Sequence, residues 1–389
     1  MMIQKKYYNR RGFLSTTAAA ALAFPMINMG TYKVFAADEK KYSAKVIDLV
    51  NNTQVFDMLS IISPFGPMML AAFGDKPKQK DGLNITEEHM QILLSSGMDV
   101  FHPAMGLGAD EAPAFVARLN ALAAEHPKHL HRIDSIADLS DLKKGERVGF
   151  IIGIQNSDHF REVDDVDLYY HLGQRISQLT YNSQNLIGTG STDRRDGGLS
   201  SYGVSIVERM NKLGMAIDVS HCGDRTTLDA FEVSKKPVLI THSNVRKLAG
   251  GHVRCKPDEA IKAMAKTGSV MGITGVRMFV RDKEPTRIGH VIDHIDYVTK
   301  LVGVEHVGIG SDMDMDGYDD VPEPAYSALK AGYKKSYQFR DKIDTDGFDH
   351  PKRIFDLTDG LIGRGYSDDD IKLILGGNFK RVLGEIWGA

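Results

Sequence analysis

Cysteine is almost missing. The 389 residues hold two, Cys222 and Cys255, which excludes a disulfide-stapled scaffold and leaves room for one bridge at most in an oxidising compartment. Charge of one sign is missing as well. With 48 Lys and Arg against 51 Asp and Glu, the formal net charge is −3, so no basic field points to nucleic acid or an anionic membrane surface. No apolar run is long enough to span a bilayer and remain there. No Gly-x-Gly-x-x-Gly follows a strand-like run, which removes support for a nucleotide cofactor. Internal repeats and low-complexity linkers are also lacking. What is present is ordinary for a globular chain, with 42% hydrophobic and 25% charged residues. The length suits one α/β barrel as well as two smaller domains.

The first 37 residues read as targeting information rather than fold. Lys5 and Lys6 open a basic stretch that runs into Asn9-Arg10-Arg11-Gly12-Phe13-Leu14-Ser15; a small-residue apolar run from Thr16 to Phe24 follows, and Phe35-Ala36-Ala37 precedes Asp38. Basic start, modest apolar centre and small-residue exit are the parts of a secretory signal. The arginine pair resembles the bacterial twin-arginine signal, which implies use of the twin-arginine export machinery and a periplasmic or otherwise exported protein. An amphipathic surface helix or a retained anchor is the alternative.

From residue 38 to 389, short β-branched runs alternate with helical patterns. The predicted strands are Gln54–Asp57, Asp99–His102, Val148–Gln155, Ile176–Tyr181, Ala216–His221, Val238–His242, Ser269–Thr274 and His306–Asp312. Between them the spacing predicts helices at Thr86–Ser96, Ala112–Glu125, Ser201–Leu213, Asp258–Lys266 and Gly289–Val302, two of them with acidic first turns that favour the helix dipole. Eight strands alternating with helices predict a single (β/α)₈ barrel, with an open doubly wound sheet as runner-up. Pro64–Gly82 and Asp314–His350 fit neither slot, and as insertions after strands one and eight they belong on the face that shapes the pocket.

Polar residues stand where the strands end: Asp57, His102, Gln155, Tyr181, His221, His242 and Asp312. A lone histidine is more often a bland core or loop residue, but seven polar ends on one rim mark the face where barrel enzymes place their chemistry. Ile217-Asp218-Val219-Ser220-His221 and Val238-Leu239-Ile240-Thr241-His242 are consecutive strands ending in histidine. Parallel neighbours lie about 4.8 Å apart, so two such imidazoles can reach one zinc or iron ion. Asp312 then offers a proton acceptor.

These residues carry a resemblance to the membrane (renal) dipeptidase family, peptidase family M19. The similar stretches are Leu213–His221, Pro237–Ser243, His252-Val253-Arg254, Val307–Asp312 with Gly317, and Gly376-Gly377-Asn378-Phe379. They occur in family order over about Val46 to Trp387. The resemblance implies hydrolysis of dipeptides and related small amides with two zinc ions. It makes His221 and His242 metal ligands, Arg254 the receiver of the substrate carboxylate, and Asp312 the handler of the water proton. Strand one departs from the pattern. The family's Asp-x-His-x-Asp falls at Asp57-Met58-Leu59-Ser60-Ile61, so Leu59 and Ile61 replace ligands; Gln155 replaces the bridging glutamate and Tyr181 the substrate-polarising histidine. An alkyl chain and an amide cannot do the work of imidazole and carboxylate, so at most one zinc or iron ion is expected. His102 and His159 are candidate replacements, and Cys222 and Cys255 lie near the rim as buried thiols, a thiolate ligand or a bridge.

Two functions follow. The first is an exported dipeptidase-like metallohydrolase acting on a dipeptide or small peptide-like amide, with Asp312 and Tyr181 catalytic. The second is a non-hydrolytic relative that binds or tailors a peptidic small molecule, such as a natural-product precursor. The partners expected are that peptide-like ligand, the export machinery and, as an alternative to a monomer, a second copy of the chain.

Overall fold

The computed structural model describes residues 42–61, 87–315, 317–318, 323 and 325–388. The predicted export segment and Pro64–Gly82 lie outside the described residues. Lys40–Ala389 forms one compact unit, and among the described residues no helix is long and apolar enough to cross a membrane.

Eight parallel strands form the ring: β1 (Phe56–Asp57), β2 (Val100–Phe101), β3 (Val148–Phe150 and Ile152–Ile154), β4 (Gln174–Gln178), β5 (Ala216–Asp218), β6 (Ile240–Ser243), β7 (Met271–Ile273) and β8 (Val307–Ile309). Each pairs with its successor, as in Phe56 with Val100, Ile176 with Ala216, and Met271 with Val307. A bridge between Asp218 and Leu239 joins β5 to β6. The Met58 N–H donates to Ile309 O at 2.9 Å and closes β8 on β1. The architecture is therefore the (β/α)₈ barrel read from the pattern.

Three of the predicted helices, Ala112–Glu125, Ser201–Leu213 and Asp258–Lys266, have the bounds that periodicity and end signals assigned. Ser201–Leu213 shows why. The Ser200 hydroxyl accepts from the Gly203 N–H at 2.9 Å, and Gly214 ends the helix at φ +80, where only glycine is unstrained. The strands differ more. They are shorter than their apolar runs, and Val148–Gln155 is interrupted at Ile151. An additional strand, Leu130–Arg132, pairs with Val148–Phe150.

The N-terminal end of the barrel is filled by Phe56, Val100, Ile151, Ile176, Ala216, Leu239 and Val270 and sealed by Phe379, Val382, Leu383 and Ile386 of helix Asn378–Trp387. Each such buried side chain contributes about 1.5–3 kcal/mol. The Gly376-Gly377-Asn378-Phe379 stretch is thereby explained. A Cβ on Gly376 would lie 2.0 Å from Gln54 O, and the Asn378 amide donates to Val304 O and Val307 O at 2.7 and 2.8 Å. Packing at this end leaves the opposite rim free for chemistry.

Candidate active site at the C-terminal rim

Two buried aspartates lock the strand ends. Asp57 accepts from the Ser311 N–H and hydroxyl at 2.7 and 2.6 Å and lies 3.6 Å from Arg353, tying β1 to β8. Asp218 accepts from the Ser220 N–H and hydroxyl at 2.9 and 2.6 Å, and from the Thr241 N–H and hydroxyl at 3.0 and 2.7 Å. That second clamp fixes the residues preceding His221 and His242.

The proton inventory of this cluster is informative. Asn182 Oδ1 accepts from His221 Nδ1 at 2.7 Å. The Thr241 hydroxyl spends its hydrogen on Asp218, so it accepts from His242 Nδ1 at 2.8 Å. Both Nδ1 atoms therefore carry the proton, and both Nε2 atoms present lone pairs, facing each other at 2.9 Å. Burial holds each imidazole well below its usual pKa, and the Arg254 guanidinium pushes the same way. Neutral imidazoles with bonded Nδ1–H groups and bare, converging Nε2 atoms are groups that could hold a metal ion. Lone pairs at that distance repel unless a cation lies between or beside them.

The donors that converge here are the two imidazole Nε2 atoms. Among the described residues no group of three His, Cys, Asp or Glu side chains converges as a metal site. Leu59 is fully buried, and the Gln155 amide donates to Ala104 O at 2.7 Å. The Ile61 side chain lies outside what the structure describes. His102 sits inside the barrel with Nδ1 bonded to Met58 O at 2.9 Å, and no partner for its buried Nε2 occurs among the described residues. Gly153 makes room for it, since a Cβ there would lie 1.9 Å from that nitrogen. His159 is elsewhere, bonded to Gln174 at 3.1 Å and packed on Phe160 and Tyr169. Cys222 and Cys255 are both free and buried.

Beside His221 opens a cavity of about 640 Å³ whose lining also includes Gln155, Tyr181, Asn182 and Asp312. Tyr181 stacks on His221 with ring centroids 4.3 Å apart. Asp312 adopts φ +54, a left-handed conformation that aspartate tolerates better than most residues. Burial pushes its carboxyl up to about 7, against the pull of Arg254 and with a further push from Asp57. Arg254 is 1% exposed and donates to Ser220 O and to His242 O (2.9 Å for the latter). Two of its three nitrogens are thus engaged with the backbone that carries the histidines, and the third, Nε, has no partner among the described residues.

Sequence reasoning missed the far wall. Tyr333, Tyr337 and Phe339 also line the cavity; their ring centroids are 4.5–5.0 Å apart. They come from the segment after β8, where helix Ala325–Ala331 and the turn Lys335–Tyr337 replace the expected irregular insertion. Its role in shaping the pocket was readable, but its aromatic residues have no periodicity that would single them out. Asn182, which fixes the tautomer of His221, was missed for the same reason.

A closed parallel barrel with histidines and an aspartate at its C-terminal rim defines a metal-dependent hydrolase type of protein. Residues 100–329 match the model of membrane dipeptidase, peptidase family M19, and the chain belongs to that family. It is 28% identical over 278 residues to dipeptidase aclJ of Aspergillus oryzae, covering 70% of this chain and 57% of the relative. It is 29% identical over 271 residues to dipeptidase verJ of Clonostachys rogersoniana, covering 69% of this chain and 63% of the relative. The match thus spans less than two thirds of either relative's length. Among solved structures, an amidohydrolase from Pseudomonas aeruginosa superposes with a TM-score of 0.73 at 26% identity, over 88% of this chain and 99% of that one.

Proposed function

We propose that this protein hydrolyses a dipeptide or small peptide-like amide using a single zinc or iron ion held by His221 and His242. The observation that carries the reading is the pair of bare Nε2 atoms facing each other at 2.9 Å with both Nδ1 protons engaged. His221 and His242 would hold such an ion, which would supply Lewis-acid polarisation of the carbonyl and acidify the attacking water. Asp312 takes the proton of the attacking water, being an acceptor held near neutrality at the cavity wall. The water oxygen bonds to the carbonyl carbon, the carbon–nitrogen bond breaks, and the proton passes from Asp312 to the departing amine. Leu59, Ile61 and Gln155 stand at the family's other ligand positions, so this reading has one ion where relatives of full ligand set hold two. Losing the two-ion clamp removes several kcal/mol of transition-state stabilisation, and simple dipeptides are slow substrates in consequence.

Assays of L,L- and L,D-dipeptides and larger peptide-like amides with one equivalent of zinc test the reading. It predicts turnover that disappears in His242→Ala; turnover that persists in chelator-treated protein overturns it. The two-imidazole donor set, thin for a hydrolase, favours one further reading: a dipeptidase-like protein that binds or tailors a peptidic small molecule without hydrolysing it. Such a protein would bind the amides and release them intact. We also propose that residues 1–37 direct twin-arginine export, on the strength of Arg10-Arg11-Gly12-Phe13-Leu14.

A further inference from the structure

Tyr181 is packed against both His221 and Gly106. His221 stacks on one side at 4.3 Å and 24°. On another side is Gly106, where a Cβ would fall 2.6 Å from three ring carbons, so the close approach requires glycine. Its hydroxyl lies 2.8 Å from that of Tyr333. Tyr333 is wedged in turn by Tyr337 and Phe339, at 4.5 and 4.8 Å.

Two phenols bring two hydrogens, and their mutual bond uses one. Among the described residues no acceptor takes the other, and both tyrosines line the cavity. Both are phenols, neutral hydrogen-bond donors at physiological pH. Asp312, which lines the same cavity, is an acceptor whose carboxylate receives no hydrogen bond from the described residues. Amide hydrolysis needs this complementarity. Negative charge grows on the carbonyl oxygen while the attacking water loses a proton, so one side of the site must donate and the other accept.

We propose that the Tyr181–Tyr333 pair is the oxyanion donor of this site, with the spare phenolic hydrogen directed at the carbonyl oxygen of the bound amide. The assignment rests on the hydrolase reading above and adds Tyr333 to it. Whichever phenol makes the mutual bond, its partner is polarised by it, because hydrogen bonds in a chain strengthen one another.

The test uses the full metal-loaded chain and two unreactive probes. One is a phosphinate pseudo-dipeptide, tetrahedral and anionic like the intermediate. The other is the matching ketomethylene pseudo-dipeptide, which keeps a planar carbonyl and has no amide to cleave. Tyr333→Phe keeps the ring and its packing and removes only the hydroxyl. It should weaken the phosphinate by roughly 100-fold and the ketomethylene by less than about threefold, the signature of a donor that acts on developed charge. On a cleaved substrate kcat should fall by about the same factor with KM unchanged. Equal losses for both probes, or an unchanged phosphinate affinity, overturn the assignment. If Tyr333→Phe turns over at the wild-type rate, the pair falls while the hydrolase reading stands. If wild type takes up no metal and binds no phosphinate, both fall.

Discussion

Replacing Asp312 by Asn in the metal-free protein should make the wild type and the variant diverge in stability along the pH axis. Asp312 lines the cavity, and burial moves its carboxyl from an ordinary 3.8 to about 7. A raised carboxyl means that the folded state favours the protonated form. Its contribution is fully present below the unfolded value and is lost as pH rises through the folded one. At about 1.36 kcal/mol per pH unit the gap corresponds to about 4 kcal/mol, an upper limit because the side chain keeps contact with the cavity. Asn stays neutral throughout. Urea denaturation of both proteins from pH 4 to pH 8 should show no difference at the acid end, and a growing advantage for Asp312→Asn, reaching about 2–4 kcal/mol, by pH 8. A difference that is flat with pH would refute the argument that Asp312 titrates near neutrality. In the metal-loaded enzyme the same variant should lose turnover, since Asn accepts no proton, and wild-type turnover should fall about tenfold per pH unit below the Asp312 midpoint.

Arg254→Met should lower the melting temperature measurably, because Ser220 O and His242 O lose their donors. Each buried unpaired carbonyl costs about 1–3 kcal/mol; unchanged melting with weakened ligand binding would instead make Arg254 the carboxylate receiver that the resemblance implies. Substituting Arg10 and Arg11 by Lys should retain the chain in the cytoplasm, and cell fractionation that still finds it exported would remove the twin-arginine proposal.

The barrel was legible because its evidence repeats. Apolar runs such as Met215–Ile217 and Val238–Ile240 are buried on every side, as strands enclosed by helices must be, and helices such as Ser201–Leu213 announce both ends through Ser200 and Gly214. Leu130–Arg132 escaped notice because three residues carry no alternation. Asp224–Val233 did so because Asp224, Thr226 and Thr227 are indifferent helix formers whose placement comes from tertiary packing. At the site, His221, His242 and Asp312 could be read from where strands stop. The groups that give them their states could not. Asn182, Thr241 and Asp218 act through hydrogen bonds that exist only once the rim is assembled. Arg254, which the resemblance makes the receiver of a substrate carboxylate, also bonds the main chain that carries the histidines. Tyr333 reaches Tyr181 across 152 positions of sequence.

The claim on which the account depends is one ion held by two imidazoles. Elemental analysis of protein purified without chelators, alongside His221→Ala and His242→Ala, addresses it directly. The account predicts close to one equivalent of zinc or iron in the wild type and none in either variant. Two tightly held equivalents, or full retention of metal in both alanine variants, would contradict it.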